Sequence, residues 1–188
     1  MPVESLGRWA VRVFLWLVPS FALWYLASGP LADVQAWMAR LAARAWFPGL
    51  VSGWESSGGV VEFATRLQAI QGGRVGSLVF TVNARIFSYG LALFAALSLA
   101  TAARRWGVLL GGLAALLPLA AWGVLFDLLQ QVFVGQGALA ARDYLPTPLE
   151  RNLIALGYQA GVLLLPTAAP LVVWGVLHRG FVAARMGT

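Results

Sequence analysis

Four stretches of this chain carry no charged residue and are long enough to cross a lipid bilayer. They run from 13 to 32, 86 to 103, 106 to 126 and 152 to 177, and hold 20, 18, 21 and 26 residues. A hydrocarbon core of about 30 Å takes roughly 20 residues of helix. Helices satisfy every backbone group internally, which lipid demands. Four such runs therefore predict a helical membrane protein, and their lengths disfavour a soluble helical core. Only 11% of the 188 residues are charged, against about 25% in a soluble domain. That deficit excludes a disordered chain, a soluble nucleic-acid module and a typical water-soluble enzyme.

The charges that remain act as topology signals. All 13 cations are arginine and the net charge is +6. They are scattered among apolar runs and form no nucleic-acid-binding stripe. Arg8 and Arg12 precede the first run, Arg104 and Arg105 separate the second from the third, and Arg179 and Arg185 follow the fourth. The positive-inside tendency then places all six, and both termini, in the cytoplasm. Five further arginines lie between the first two runs, where a longer segment weighs less in this rule. The first run outlasts the apolar region of a signal peptide (about 7–15 residues) and lacks an A-x-A site, so it is expected as a retained helix.

The segment between the first two runs is too patterned for a bare loop. Leu31, Val34, Met38, Leu41 and Ala45 recur at helical spacing, opposite Asp33, Arg40 and Arg44. Trp37, Trp46 and Phe47 suit a membrane interface, and Pro48-Gly49 stops the helix. Two alternating strands follow. Val61, Phe63, Thr65, Leu67 and Ala69 share one face of the first, and Leu78, Phe80 and Val82 one face of the second. A two-residue Gly72-Gly73 turn would pair Phe63 with Val82, Thr65 with Phe80 and Leu67 with Leu78. A lone hairpin is marginal in water, so its apolar face must rest on the amphipathic helix, the membrane or a partner.

The expected fold is thus a mainly α integral membrane protein in one domain, residues 1–188. Four transmembrane helices are expected at 11–28, 86–103, 106–127 and 148–177. An outer layer at 29–85 holds the amphipathic helix (31–47) and the β-hairpin (60–83). An outer loop spans 128–147, and 178–188 is a cytoplasmic tail. The fourth helix has a sharp start: Thr147-Pro148-Leu149-Glu150 has a Thr cap, Pro at the first position and Glu at the third.

Few residues suggest chemistry. There is no cysteine and one histidine, so thiolate nucleophiles and His-rich metal sites are excluded. Asp127 ends the third run, with Gln130 and Gln131 close behind. An acid at membrane depth is costly and is often functional. It is either interfacial, solvated or paired with Arg85 or Arg151, or turned to a partner or substrate. Asn83 and Arg85 lead into the second helix with Tyr89 nearby. Arg85 is either a phosphate- or carboxylate-holding cation or a snorkelling anchor. Tyr158 and Gln159 accompany Gly157 and Gly161. That glycine pair, like Gly107 and Gly111, allows close helix approach, within the chain or to another protein. Pro118, Pro166 and Pro170 read as kinks, and His178 as an interface residue. No phosphate loop, acid pair or catalytic triad is present.

Several local patterns together resemble the exosortase H-associated membrane proteins of Gram-negative bacteria, over nearly the full length. They are Phe21-Ala22-Leu23-Trp24-Tyr25, Phe47-Pro48-Gly49, Val79-Phe80-Thr81-Val82-Asn83 with Tyr89-Gly90-Leu91, Trp122-Gly123-Val124-Leu125-Phe126-Asp127, Ala155-Leu156-Gly157-Tyr158-Gln159 and Leu165-Pro166-Thr167. The resemblance implies a location in the bacterial inner membrane, with the outer layer on the periplasmic face. It also implies a partner, exosortase H, a polytopic enzyme similar to a cysteine transpeptidase. Exosortases process proteins that bear a C-terminal sorting tail, so those are further possible partners, alongside membrane lipid. No catalytic residue, cofactor or metal carries over, and nucleic acid is not expected. The first expectation is a non-catalytic accessory subunit. The alternative is a small membrane enzyme or lipid-binding protein using Asp127, Arg85 and Asn83 at the outer leaflet. A transporter subunit is disfavoured, since the four helices show no central polar pathway.

Overall fold

The computed structural model of the chain describes residues 6–71, 74–102, 105–141 and 143–186. Helix α1 (Leu6–Leu26) leads almost directly into α2 (Ser28–Trp46). Three strands follow, β1 (Val51–Ser57), β2 (Val60–Gln71) and β3 (Arg74–Asn83). Next come α3 (Arg85–Ala102) and α4 (Trp106–Gln130), which a π turn extends over Gln131–Gly135. A short α5 (Gly137–Ala140) precedes α6 (Pro148–Gln159). A second π turn (Ala160–Leu164) joins α6 to α7 (Leu165–Leu177), and α8 (Arg179–Met186) follows. The expected outer loop is thus shortened by the helical continuation of α4, and most of the expected tail is helix.

Three helical stretches are long and apolar enough to cross a membrane: Leu6–Leu26, Trp106–Gly135 and Pro148–Leu177. The apolar part of α3, Arg85–Thr101, is shorter. Yet α3 is the enclosed helix. It packs against α1, α4 and α7 and buries Leu91, Phe94, Leu97 and Ala100. Helix α1 is its opposite: only Ser20 is buried, while Phe14, Leu15, Val18 and Leu26 stand exposed. Two tryptophans fasten it to α3, Trp9 donating to Thr101 Oγ1 at 3.2 Å and Trp24 to Ser88 Oγ at 3.1 Å. A helix this apolar on its exposed side needs lipid around it.

Glycine notches seat aromatic rings where α4 meets its neighbours. Phe94 fills the space over Gly112, Phe87 over Gly123, and Phe126 over Gly157. The π turn before α7 has a covalent cause. Pro166 offers no amide hydrogen to Val162 and its ring crowds that carbonyl, so the preceding residues widen to i→i+5 spacing. Helix α3 comes closest there, and a methyl on Gly90 would fall 2.5 Å from the Pro166 carbonyl oxygen.

The strands form one antiparallel sheet in the order β1-β2-β3. Near the turn the pairing is the expected one, with Gln68 opposite Ser77 and Ala69 opposite Gly76. Gly72 and Gly73 lie outside the described residues. Beyond a bulge between Ala64 and Gln68 the register is displaced by two residues, so Phe63 faces Phe80 and Val61 faces Val82. This corrects the expected Phe63–Val82 and Thr65–Phe80 pairings. A shift of two keeps every side chain on its face, and Val61, Phe63, Thr65, Leu67, Phe80 and Val82 are all buried. The bulge is held by Thr65 Oγ1 donating to Leu78 O at 2.8 Å and the Arg66 amide donating to Leu50 O at 3.2 Å. Strand β1 was not expected, and it covers one edge of the hairpin.

Helix α2 lies where the amphipathic helix was expected. Its buried face is Ala32, Ala36, Ala39 and Ala43 with Gln35, not the row of Leu31, Val34, Met38, Leu41 and Ala45. Small side chains let α2 approach α4 and the sheet closely. The bulky row turns outward, with Val34, Trp37 and Leu41 exposed. The polar side serves β1: Asp33 Oδ1 accepts from Ser56 Oγ at 2.6 Å, and Arg40 donates to Ser52 O at 3.4 Å.

Candidate functional site

The candidate residues converge where the sheet meets the ends of α2, α3 and α4. Strand β3 ends at Asn83, whose Oδ1 accepts the Arg85 amide at 3.2 Å. This short side chain caps the otherwise unpaired first turn of α3. Arg85 then folds back over the β1–β2 turn. Its Nε donates to Ser28 Oγ at 3.3 Å, and its guanidinium lies 4.8 Å from the Tyr25 ring centre. Gly58 and Gly59 make that turn with positive φ. Gly59 is required twice, because a methyl there would also sit 2.6 Å from Arg85 Nε. Arg85 therefore ties the sheet to the α1–α2 junction. No carboxylate pairs with it among the described residues.

Asp127 and Gln131 form a second tie. Gln131 Nε2 lies 3.2 Å from Asp127 Oδ1 and 3.0 Å from Thr81 O. One amide group thus bridges α4 to the open side of β3. The π turn that begins at Gln131 is where the helix ladder loosens beside this bridge. Asp127 makes no ion pair with Arg85 or Arg151 among the described residues.

The other candidates disperse. Tyr89 is half-buried on α3 and Gln159 is exposed. Tyr158 packs against the core. Gly157 and Gly161 are interior: Phe126 lies over Gly157, and a methyl on Gly161 would reach within 3.0 Å of Gly123 Cα. Gly107 and Gly111 have nothing within 4 Å of where a side chain would begin. Pro118 sits inside α4. His178 is buried just beyond the last apolar span, and its Nε2 has no hydrogen-bond partner among the described residues. Burial and the nearby Arg105 push its proton affinity below the ordinary 6.5.

Some contacts at this junction escaped the sequence. Tyr144 donates to Pro48 O at 3.0 Å beside Arg66. Burial raises its phenol above the ordinary value, Arg66 opposes that rise, and Asp143 adds to it. Trp46 donates to Glu150 Oε1 at 3.4 Å, linking the end of α2 to the start of α6. Glu150 also completes the cap with Thr147, in both directions. Only the capping signal was visible in local spacing; the long-range partners were not. No group of three His, Asp or Glu residues able to hold a metal occurs among the described residues.

The arrangement is a set of tethers: Arg85 to Ser28 and the Gly58-Gly59 turn, and Gln131 to the edge of β3. It positions the sheet on the helix ends. No curated protein and no solved structure matches the chain. One family model does, over residues 3–181. With its apolar spans and tethered sheet, the chain belongs to the exosortase H-associated membrane proteins.

Proposed function

We propose that the protein is a non-catalytic accessory subunit of an exosortase-type protein-sorting system. The observation that carries this reading is the family match across residues 3–181, since the family is described by its association with exosortase H. The sequence supports it by lacking cysteine, so a cysteine nucleophile for tail cleavage has to come from a partner.

In this reading the whole chain is one domain of the bacterial inner membrane. It crosses four times, through α1, α3, α4 and the α6–α7 pair. Both termini are cytoplasmic, and α2 and the sheet lie on the periplasmic face. Helix α3 needs less apolar length than the others because its neighbours, rather than lipid, surround much of it. The exposed Val34, Trp37 and Leu41 of α2 rest at the headgroup level. Gln131, Asp127, Asn83 and Arg85 hold the sheet in place to meet the enzyme or its substrate tail. Tyr89, Tyr158 and Gln159 remain candidates for contact with either, and Gly107 and Gly111 for helix contact.

The test is co-expression with exosortase H and purification in a mild detergent. Co-purification, together with slower tail cleavage when the protein is deleted, is the expected result. Failure to co-purify or crosslink, with cleavage unchanged on deletion, rejects the reading. The lipid-binding alternative keeps one supporting observation, the guanidinium of Arg85 without a carboxylate partner among the described residues. Its catalytic form fails if Asp127→Asn retains full activity in the pathway.

A further inference from the structure

The two edges of the sheet are treated differently. The β1 edge is closed by α2 through Asp33 and Arg40. At the β3 edge Gln131 donates to Thr81 O, and α4 packs along part of the strand. From Val75 to Val79 it carries no charge and no proline, and Val75 and Val79 are 61% and 55% exposed. Folded proteins ordinarily protect an edge of this length with lysine, proline or a covering element. An open edge is a template for an added strand.

The outward face beside that edge has an unusual charge pattern. Glu55 and Glu62 stand directly opposite each other across β1 and β2. Like charges so placed repel, and no cation pairs with either among the described residues. They rim a depression of about 320 Å³ whose other walls are Gly53, Trp54, Ala64 and Val79. Glu62 is also opposite Thr81 of β3. A strand added at β3 would therefore run about 10 Å from Glu62, two strand spacings away. A long basic side chain lying over Thr81 and Val79 spans most of that gap.

We propose that the β3 edge accepts an extended segment of a partner protein as a fourth strand, and that this segment carries an arginine or lysine directed at Glu62, the nearer member of the Glu55–Glu62 pair. A second copy of this chain would bring Arg74, the first residue of its own β3, to the same edge, and crosslinking separates the two occupants. The inference rests on the accessory-subunit reading, with exosortase H as the partner tested.

The experiment uses the full chain co-expressed with exosortase H, with a benzophenone side chain placed at Val79 or, as a control, at Leu110 on the bundle surface. The expected result is a crosslink to exosortase H from Val79. The double reversal Glu55→Arg/Glu62→Arg should cut its yield about tenfold, and Glu55→Gln/Glu62→Gln should cut it less. Unchanged thermal unfolding of the Gln pair shows that the sheet persists. A Val79 crosslink to a second copy of this chain overturns the proposal. So does a complex that crosslinks only from Leu110, or a Val79 crosslink that both double variants leave intact; in these cases the accessory reading stands. If the wild-type chain never associates with exosortase H, the accessory reading falls and this inference falls with it.

Discussion

Two Gly-x-x-x-Gly pairs in this chain have opposite surroundings. Gly157 and Gly161 are closed by the ring of Phe126 and the backbone of Gly123. Gly107 and Gly111, on the same helix that supplies both of those neighbours, face open space. In sequence the pairs are indistinguishable. The difference shows that a small-residue pair only permits close approach; whether anything approaches depends on a ring or a backbone brought in from elsewhere. The closed pair holds α4 to α6 and the second π turn. The open pair leaves a strip of α4 for lipid or another protein.

The strongest way to break this comparison is to add bulk to the closed pair. Gly157→Val should destabilise the protein by about 1–3 kcal/mol, the usual cost of overpacking. Thermal unfolding in detergent should show an earlier transition, and an unchanged one would mean that the Phe126 contact is not maintained. Next comes the cap that starts the same helical segment. Thr147→Ala removes the hydroxyl that accepts the Glu150 amide at 3.2 Å, and should cost about 1 kcal/mol. Chemical denaturation of the two proteins side by side checks this.

Burial at His178 gives a pH-dependent version of the contrast. Its folded proton affinity lies below 6.5, so the stability linked to the neutral ring is complete above that value. It is lost as the pH falls through the lower folded value. Melting temperature measured against pH should drop in acid, and His178→Phe should flatten the drop. The smallest effect belongs to the open pair. Gly107→Ala and Gly111→Ala should leave stability unchanged or raise it by about 0.5–1 kcal/mol, the helix-propensity gain alone. A clear loss in the isolated protein would show that these glycines are packed after all.

The same dependence on distant neighbours decides how much was legible beforehand. The Thr147–Glu150 cap is local, and its four residues state it completely. The turn-side register of β2 and β3 follows from spacing around Gly72-Gly73. It fails past Thr65 because the bulge depends on Leu50 and Leu78, which no alternation pattern reports. Strand β1 escaped notice because Val51-Ser52-Gly53-Trp54-Glu55 has no clean alternation; it is a strand only because β2 and α2 flank it. The buried face of α2 was not legible, because the bulky row that repeats at helical spacing is not the row the fold buries. Next to lipid the bulky row can face outward while alanines make the contact. At the site, the closeness of Asn83 and Arg85 is visible in the chain, and so is the four-residue spacing of Asp127 and Gln131. The bridge from Gln131 to Thr81 spans 50 residues, and only the fold supplies it.

The central claim is that the chain supports a sorting reaction whose chemistry lies elsewhere. It is tested most directly by reconstituting exosortase H and a tail-bearing substrate in vesicles, with and without this protein. The account predicts that the protein alone leaves the substrate uncut, and that adding it increases cleavage by exosortase H or prolongs the life of the active enzyme. Cleavage by the protein alone, or an enzyme whose rate and lifetime ignore it, would contradict the account.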